Sequence, residues 1–173
     1  MGDTMQKEIM QLDKEQIFKL LLKIIIDTNV WAFRLEEELS KYDKTKAKKL
    51  SLELHHEFGL RQARGLKKMG LITNTGLEAV EQALSYSHWA VLEDLRIERL
   101  NGNTLRFGTV DCSNKRAMDK AGKKLDCKDT GLAIRQSFLE VIEPRAMVKP
   151  IVEPADKDKQ GANFTCLWEV TLS

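Results

Sequence analysis

The spacing of hydrophobic residues changes near residue 86, and this change constrains the fold of the 173-residue chain more than any other feature. Before that point, apolar residues recur every three or four positions, as on one face of an α-helix. After it, they alternate with polar residues over "LEDLRIERL" and "TLRFGTVDC", as in a half-buried β-strand. We therefore expect a single domain, 1–173, with a helical part at 1–86 and a sheet-containing part at 87–173.

Two long helices are predicted in the helical part. Asp13 and Gln16 have the spacing of a capping box at the start of the first helix. It is either one long helix or two helices with a joint near Asp27, where residues of low helix propensity adjoin. The second helix is predicted over 44–69, and Gly59 within it leaves open a bend or a break.

A short helix leads from the helical part to the strands. Thr75 and Glu78 form a second capping-box pattern at its start. The "NGN" at 101–103 is a tight-turn signal, so the strands on either side of it should pair as a hairpin. The apolar residues after Gly108 are out of phase with those before it, which predicts a β-bulge at that glycine.

The rest of the chain adds one helix and a second hairpin. Asp129 is expected to cap the helix, and Pro150 places the following extended segment at a sheet edge. The last segment, "ANFTCLWEVTL", has the clearest strand alternation. The order of helices, hairpin, helix and hairpin predicts an α+β fold, in which the N-terminal helices pack on one face of an antiparallel sheet built from two hairpins separated by a helix.

The composition favours a cytoplasmic protein without a nucleic-acid or membrane partner. The 28 basic and 26 acidic residues leave a net charge of only +2, so no strong field attracts nucleic acid. The start is polar, unlike a signal peptide, and the most apolar run, "IFKLLLKIII", is too short to span a bilayer. Three cysteines without such a signal predict free thiols in a reducing compartment.

Two of the cysteines are predicted to point into the interior. Cys166 shares one face of the last strand with Trp168, and Cys112 ends the strand after the first turn. The two could therefore be neighbours on adjacent strands. They either pack as small core residues or line a ligand pocket together with Trp168 and Trp31.

Cys127 is expected in a more reactive setting, just before the helix that Asp129 would cap. The partial positive charge of a helix N-terminus and the nearby lysines favour a thiolate, whereas Asp126 and Asp129 oppose it. Cys127 is therefore a candidate nucleophile, and a surface-loop cysteine without a role is the alternative.

A metal site stays a hypothesis at this stage. The cysteines are separated by 15 and 39 residues, and these spacings match no zinc ribbon or finger. A metal would need a histidine or an acid as a further ligand. The candidate ligands are Cys112, Cys127 and Cys166, and the sequence indicates no particular cofactor.

The histidines offer a candidate acid or base. His55 and His56 lie on adjacent flanks of the second helix, so they cannot both face one pocket. "HHE" lacks the four-residue spacing of the two histidines in a zinc-protease helix. His56 is the candidate catalytic residue, with a solvated flank as the alternative, and His88 is expected at a turn or a cap.

The residues between 105 and 172 resemble a known group of proteins. Cys112 ends a strand, Cys127 precedes a helix, "IEP" follows that helix, and "CLW" lies in the final strand. In these features the chain resembles uncharacterised prokaryotic L-2-amino-thiazoline-4-carboxylic acid hydrolase-like proteins, and distantly the four-vinyl-reductase or hydrocarbon-binding domain. The resemblance implies an α+β domain that encloses a small-molecule or metal pocket. The chain departs from that group in having no cysteine in "VKPIVEP".

Three functions follow as expectations. The first is the binding of a small, partly apolar ligand between helices and sheet. The second is hydrolysis of a cyclic thiazoline-type substrate, with Cys127 as nucleophile and a histidine as base. The third is oligomerisation, in which the N-terminal helices pair two copies through Ile17, Ile24 and Trp31, which recur every seven residues. Whether the protein is an enzyme stays open.

Overall fold

The computed structural model describes residues 12–122, 124–152 and 164–173. The chain divides into two compact units, Met1–Lys48 and Lys49–Ser173. This boundary lies well before the change of hydrophobic spacing at residue 86. Within the described ranges, none of the helices has the length and the apolar character that a membrane span requires.

The first unit is dominated by helix α1, Lys14–Tyr42. The Asp13 carboxylate accepts a hydrogen bond from the backbone N–H of Gln16 at 2.8 Å, and the Gln16 side chain accepts one from the backbone N–H of Asp13 at 3.0 Å. The predicted capping box is confirmed. Of the two alternatives for this helix, one long helix is confirmed, because α1 is continuous at Asp27 and no joint occurs there. The Thr28 hydroxyl donates to the Ile24 carbonyl at 2.8 Å, which lets this residue remain in the helix.

Helix α2, Lys44–Lys68, begins in the first unit and continues into the second. It runs through Gly59 without a break, so the bend or break left open there does not occur. The glycine has a packing role instead. A β-carbon on Gly59 would lie 2.4 Å from the backbone oxygen of Ile134. Only a residue without a side chain permits that close approach.

Helix α3, Gly76–Ser85, begins where the sequence predicted but is capped differently. Thr75 occupies the N-cap position, yet its side chain makes no capping hydrogen bond within the described chain. The carboxylate of Glu143 accepts from the backbone N–H of Gly76 at 3.1 Å instead. The predicted capping box with Glu78 is therefore wrong, because an acid 67 residues away satisfies the helix terminus.

The remaining elements are helices and antiparallel strands, and together they confirm the α+β fold class. Three more helices follow: α4 (His88–Leu92), α5 (Ser113–Lys120) and α6 (Lys128–Ile142). The strands are β1 (Leu95–Arg99), β2 (Thr104–Thr109), β3 (Ala146–Val152) and β4 (Cys166–Leu172). They form one sheet in the order β1-β2-β4-β3, with every neighbouring pair antiparallel. Strand β3, with Pro150, lies at an edge as predicted.

The predicted bulge at Gly108 is wrong. Gly108 pairs regularly with Arg96 on one side and with Leu167 on the other, and the register irregularity lies between Pro150 and Val152 instead. The residues after Thr109 leave the sheet. Cys112 then becomes the N-cap of α5, a helix that the sequence analysis did not predict.

The core of the second unit lies between one face of the sheet and its helices. Phe107 and Trp168 are fully buried at the centre of the sheet, and Phe138 of α6 is fully buried in the same hydrophobic cluster. Alternate residues of β4 are buried, as the sequence predicted: Cys166, Trp168, Val170 and Leu172. These strands and α6 position the charged residue described next.

Candidate functional site

Helix α6 carries an arginine into the core. Gly131, Arg135, Phe138 and Ile142 are spaced by four, three and four residues, so they share the buried face of the helix. Arg135 is only 7% exposed. Its guanidinium carbon lies 4.4 Å from the ring centroid of Trp168, 4.7 Å from that of Trp89 and 6.0 Å from that of Phe107. We call these four residues, Arg135, Trp89, Phe107 and Trp168, the Arg135 cluster.

The hydrogen-bonding groups of this cluster are only partly satisfied. The Nη1 of Arg135 donates to the backbone oxygen of Gly131 at 3.1 Å. The Nε of Arg135 and the Nε1 of Trp168 are buried, and among the described residues neither has a partner. Gly131 allows the close packing, because a β-carbon there would lie 3.2 Å from both Nη1 of Arg135 and Cζ2 of Trp168.

The guanidinium charge is not fully compensated by its surroundings. Each cation–π contact contributes about 0.5–2 kcal/mol. Removing a charge from water costs several kcal/mol when no opposite charge accompanies it. Arg135 forms no ion pair with any residue in the described part of the chain. The three aromatic rings therefore offset only part of the cost of burying Arg135.

Two of the three thiols, those of Cys112 and Cys166, are buried as the sequence predicted, although Cys112 caps α5 and does not end a strand. Cys166 Sγ is 3.2 Å from the hydroxyl of Thr109, and both residues are buried. Cys112 is buried at the start of α5, where its thiol donates to the Glu93 carboxylate at 3.5 Å and accepts from the backbone N–H of Lys115. Burial, followed by the negative charge of Glu93, raises the pKa of Cys112 to about 12.

The structure gives Cys127 the opposite electrostatic character to the one expected. Cys127, rather than Asp129, is the N-cap of α6, and its side chain makes no capping hydrogen bond within the described chain. Burial is the largest influence and raises the pKa of Cys127 to about 11, although the positive charge of Arg135 opposes this. The thiol is therefore protonated at neutral pH, so these surroundings do not favour the thiolate that a nucleophile needs.

The three thiols nevertheless belong to one region. The pKa values of Cys112 and Cys127 both respond to Cys166, and that of Cys127 also responds to the charge on Arg135. All three cysteines are free, as the sequence predicted. Among the described residues, however, no three His, Cys, Asp or Glu side chains are placed to hold a metal ion together. Burial keeps the thiols of Cys112 and Cys127 in this region protonated.

Glu93 is an acidic residue whose pKa responds to the charge of Arg135. Burial raises its pKa, while hydrogen bonding from Thr109 and the charge of Arg135 lower it in part. No ion pair joins Glu93 to Arg135 in the part of the chain that is described. The buried guanidinium is thus left with neutral thiols and one partly shielded acid.

The histidines contact groups other than the cysteines. His56 lines a shallow groove of about 430 Å³ with four residues of α2 and α6. Its Nε2 is 4.0 Å from the Glu140 carboxylate. His55 Nδ1 lies 2.7 Å from the Ser51 backbone oxygen. Across the described ranges, no histidine is hydrogen-bonded to a cysteine. The catalytic pairing expected of His56 and Cys127 is therefore not assembled.

His88 packs against the edge of the Arg135 cluster. Its ring lies 4.2 Å from that of Trp89, and its Nδ1 is 3.0 Å from the Gln62 side-chain oxygen. Burial, together with the charge of Arg135, lowers the pKa of His88 to about 3. The imidazole is neutral at pH 7 and adds no positive charge to the site.

Of the predicted ligand-binding residues, Trp168 is central, with Cys112 and Cys166 nearby. Trp31 lies in the other compact unit, where the residue is 65% exposed, and it is not part of the Arg135 cluster. Sequence reasoning missed Arg135. A signal was present, because Arg135 is in helical phase with Phe138 and Ile142 on an otherwise apolar face.

The thiol of Cys127 should react slowly with thiol reagents. Its pKa is raised from 9.0 to about 11, so its thiolate fraction near neutral pH is about 100-fold smaller than that of an ordinary cysteine. We expect a Cys112→Ser, Cys166→Ser protein to react with an aromatic disulfide at pH 7.5 much more slowly when folded than when unfolded in urea. Equal or faster labelling of the folded protein would contradict the assignment of a neutral Cys127.

One family model matches residues 10–172, and its description is "Family of unknown function (DUF6125)". No curated protein matches the chain.

Proposed function

The chain belongs to the family of unknown function DUF6125, and we propose that it binds a small, partly apolar ligand in the layer between α6 and the sheet. The ligand contacts the Arg135 cluster and extends toward the thiols of Cys112 and Cys166. Its apolar part packs against the aromatic rings, and its polar part meets the buried donors.

The two unpartnered donors carry this proposal. The Nε of Arg135 and the Nε1 of Trp168 are buried without an acceptor among the described residues. A buried donor without a partner costs about 1–3 kcal/mol, and more when it is charged. Stable proteins retain few such groups, and those that persist are often explained by a ligand or an ordered water. A ligand that brings an acceptor would recover this free energy.

The aromatic rings define the apolar side of the site. Trp89 lies 5.6 Å from Phe138 in an edge-to-face arrangement and 6.5 Å from Phe107, so the rings form one connected surface. Ligand sites of soluble proteins are mostly apolar and contain a few polar groups that orient the ligand. The Arg135 cluster has this composition.

Tryptophan fluorescence tests the proposal directly. The chain has three tryptophans, and Trp31→Phe leaves only the two that belong to the Arg135 cluster. Titration of this protein with phenylacetate and phenylacetamide should change its fluorescence and raise its melting temperature with at least one of the two. The proposal fails if neither probe, at millimolar concentration, changes the fluorescence or the melting temperature.

The alternative function, that of a thiazoline-type hydrolase, has less support. That mechanism needs an activated thiol and a base within hydrogen-bond reach of it. The pKa of Cys127 is about 11, and no histidine within the described ranges is bonded to a cysteine. Binding without hydrolysis is the function that the geometry supports better.

We also propose that two copies pair through α1. The helix carries a row of large apolar side chains that are all more than a third exposed, namely Phe18, Leu21, Ile24, Trp31 and Leu35. Such a row on a 29-residue helix is typical of a surface that pairs with another helix. Light scattering should give twice the 19.8 kDa chain mass for the wild type, and the chain mass for Trp31→Lys. A monomeric wild type would contradict the pairing.

A further inference from the structure

We propose, on the basis of the ligand site above, that the ligand is a small carboxylate whose oxygens accept hydrogen bonds from Arg135 and Trp168. This inference adds the charge and the hydrogen-bonding class of the ligand to the site around the Arg135 cluster. It excludes neutral amides and alcohols as the preferred ligands.

The first argument is that the free polar groups of the site are donors. A guanidinium has five N–H donors and no acceptor, and an indole has a single N–H donor. The unpartnered atoms, Nε of Arg135 and Nε1 of Trp168, belong to these two groups. A ligand that satisfies them must offer acceptors, and a carboxylate offers two oxygens and no donor.

The second argument concerns charge. Arg135 is 7% exposed and forms no ion pair within the described part of the chain. Burial keeps the nearby thiols protonated, with pKa values of about 12 for Cys112 and about 11 for Cys127. A negative ligand therefore meets one buried positive charge without thiolates that repel it, and Glu93, whose pKa burial raises, is the acid that acts on the same guanidinium. Hydrogen bonds between ionised partners are roughly twice as strong as neutral ones.

The third argument selects a carboxylate among anions. One guanidinium matches the single charge and planar shape of one carboxylate. His88, the other basic side chain beside Trp89, is neutral because burial lowers its pKa to about 3. A phosphate monoester carries close to two charges at pH 7 and needs more compensation than this site provides. The aromatic rings further favour a ligand whose remainder is apolar.

Matched probes that differ in one group test this inference. Phenylacetate, phenylacetamide and phenyl phosphate share an aromatic ring and differ in charge and hydrogen-bonding groups. Calorimetric titration of the Trp31→Phe protein should give a dissociation constant for phenylacetate on the order of tenfold lower than for phenylacetamide. Phenyl phosphate should bind more weakly than phenylacetate.

Substitutions at Arg135 test whether this residue causes the preference for phenylacetate over phenylacetamide. Arg135→Met should reduce the ratio between the two dissociation constants to about one, because the charge that distinguishes acid from amide is gone. Arg135→Lys keeps the charge but not the planar guanidinium, and it should retain only part of the ratio. Arg61→Met is the matched control, since Arg61 lies on the exposed side of α2, paired with Glu57. It should leave the ratio unchanged.

The outcomes separate this inference from the proposed function. If the amide binds as tightly as the acid, the carboxylate assignment is overturned and ligand binding stands. Tighter binding of phenyl phosphate also overturns it. If none of the three probes binds, the proposed function fails together with this inference. Should Arg135→Met fail to fold by circular dichroism, an unchanged ratio in Arg135→Lys would still overturn the role of the guanidinium.

Discussion

Arg135→Met should raise the free energy of unfolding of the ligand-free protein by about 1–3 kcal/mol. Methionine fills a similar elongated space with no charge and no N–H group. The substitution removes the cost of burying Nε without a partner, and it loses the cation–π contacts to Trp89, Trp168 and Phe107. Since those contacts offset only part of the cost, the balance favours the variant.

Urea denaturation of the two proteins measures this change, with the midpoint and the slope fitted separately. Arg61→Met is again the control, because an exposed substitution usually changes stability by less than about 0.5 kcal/mol. A loss of about 3–5 kcal/mol in Arg135→Met would contradict the prediction, since that is the cost of leaving the partner of a buried ion pair alone. Such a result would assign Arg135 an opposite charge within the protein and would remove the main argument for a ligand.

The combination of higher stability and lost binding would distinguish a binding residue from a structural one. A structural residue contributes to stability, so its removal destabilises the protein. A residue that binds a ligand can be retained although it lowers the stability of the fold. At such a site the residue that is best for function differs from the one that is best for stability. Arg135 is a core position at which a sequence chosen for packing alone would place an apolar side chain.

The fold class could be predicted because its signals are local. The capping box of Asp13 depends on residues three apart, and the alternation of Cys166, Trp168 and Val170 depends on a single strand. The features that could not be predicted depend on distant contacts. Thr75 does not cap α3 because Glu143, far along the chain, reaches the helix terminus. Helix α5 was missed because none of its eight residues is buried, so it has no hydrophobic period.

The site was predictable only in part for the same reason. The alternation of β4 placed Trp168 and Cys166 in the interior. The helix N-terminus near Cys127 suggested a thiolate, but the burial that raises its pKa depends on tertiary packing. Arg135 was overlooked because a single charge on an amphipathic helix is usually solvent-exposed. Its phase with Phe138 was the signal that should have been given more weight.

Two glycines of α2 should respond to alanine in opposite directions. Gly59→Ala places a β-carbon 2.1 Å from the Ser137 hydroxyl and 2.4 Å from the Ile134 backbone oxygen. A backbone atom cannot move aside as a flexible side chain can, so α2 and α6 must separate. Overpacking of this kind typically costs about 1–3 kcal/mol and occasionally more. We expect Gly59→Ala to lower the free energy of unfolding by at least about 2 kcal/mol.

Gly65→Ala is the matched control, in the same helix and with nothing within 4 Å of the added carbon. Alanine is favoured over glycine in a helix by about 1 kcal/mol, so this variant should be more stable than the wild type. Adding Ser137→Ala to Gly59→Ala removes the nearest hydroxyl and leaves the Ile134 oxygen in place, so it should restore little. If Gly59→Ala were as stabilising as Gly65→Ala, the close packing of α6 against α2 would be contradicted. The position of Arg135 depends on this packing of α6 against α2, so it would be contradicted as well.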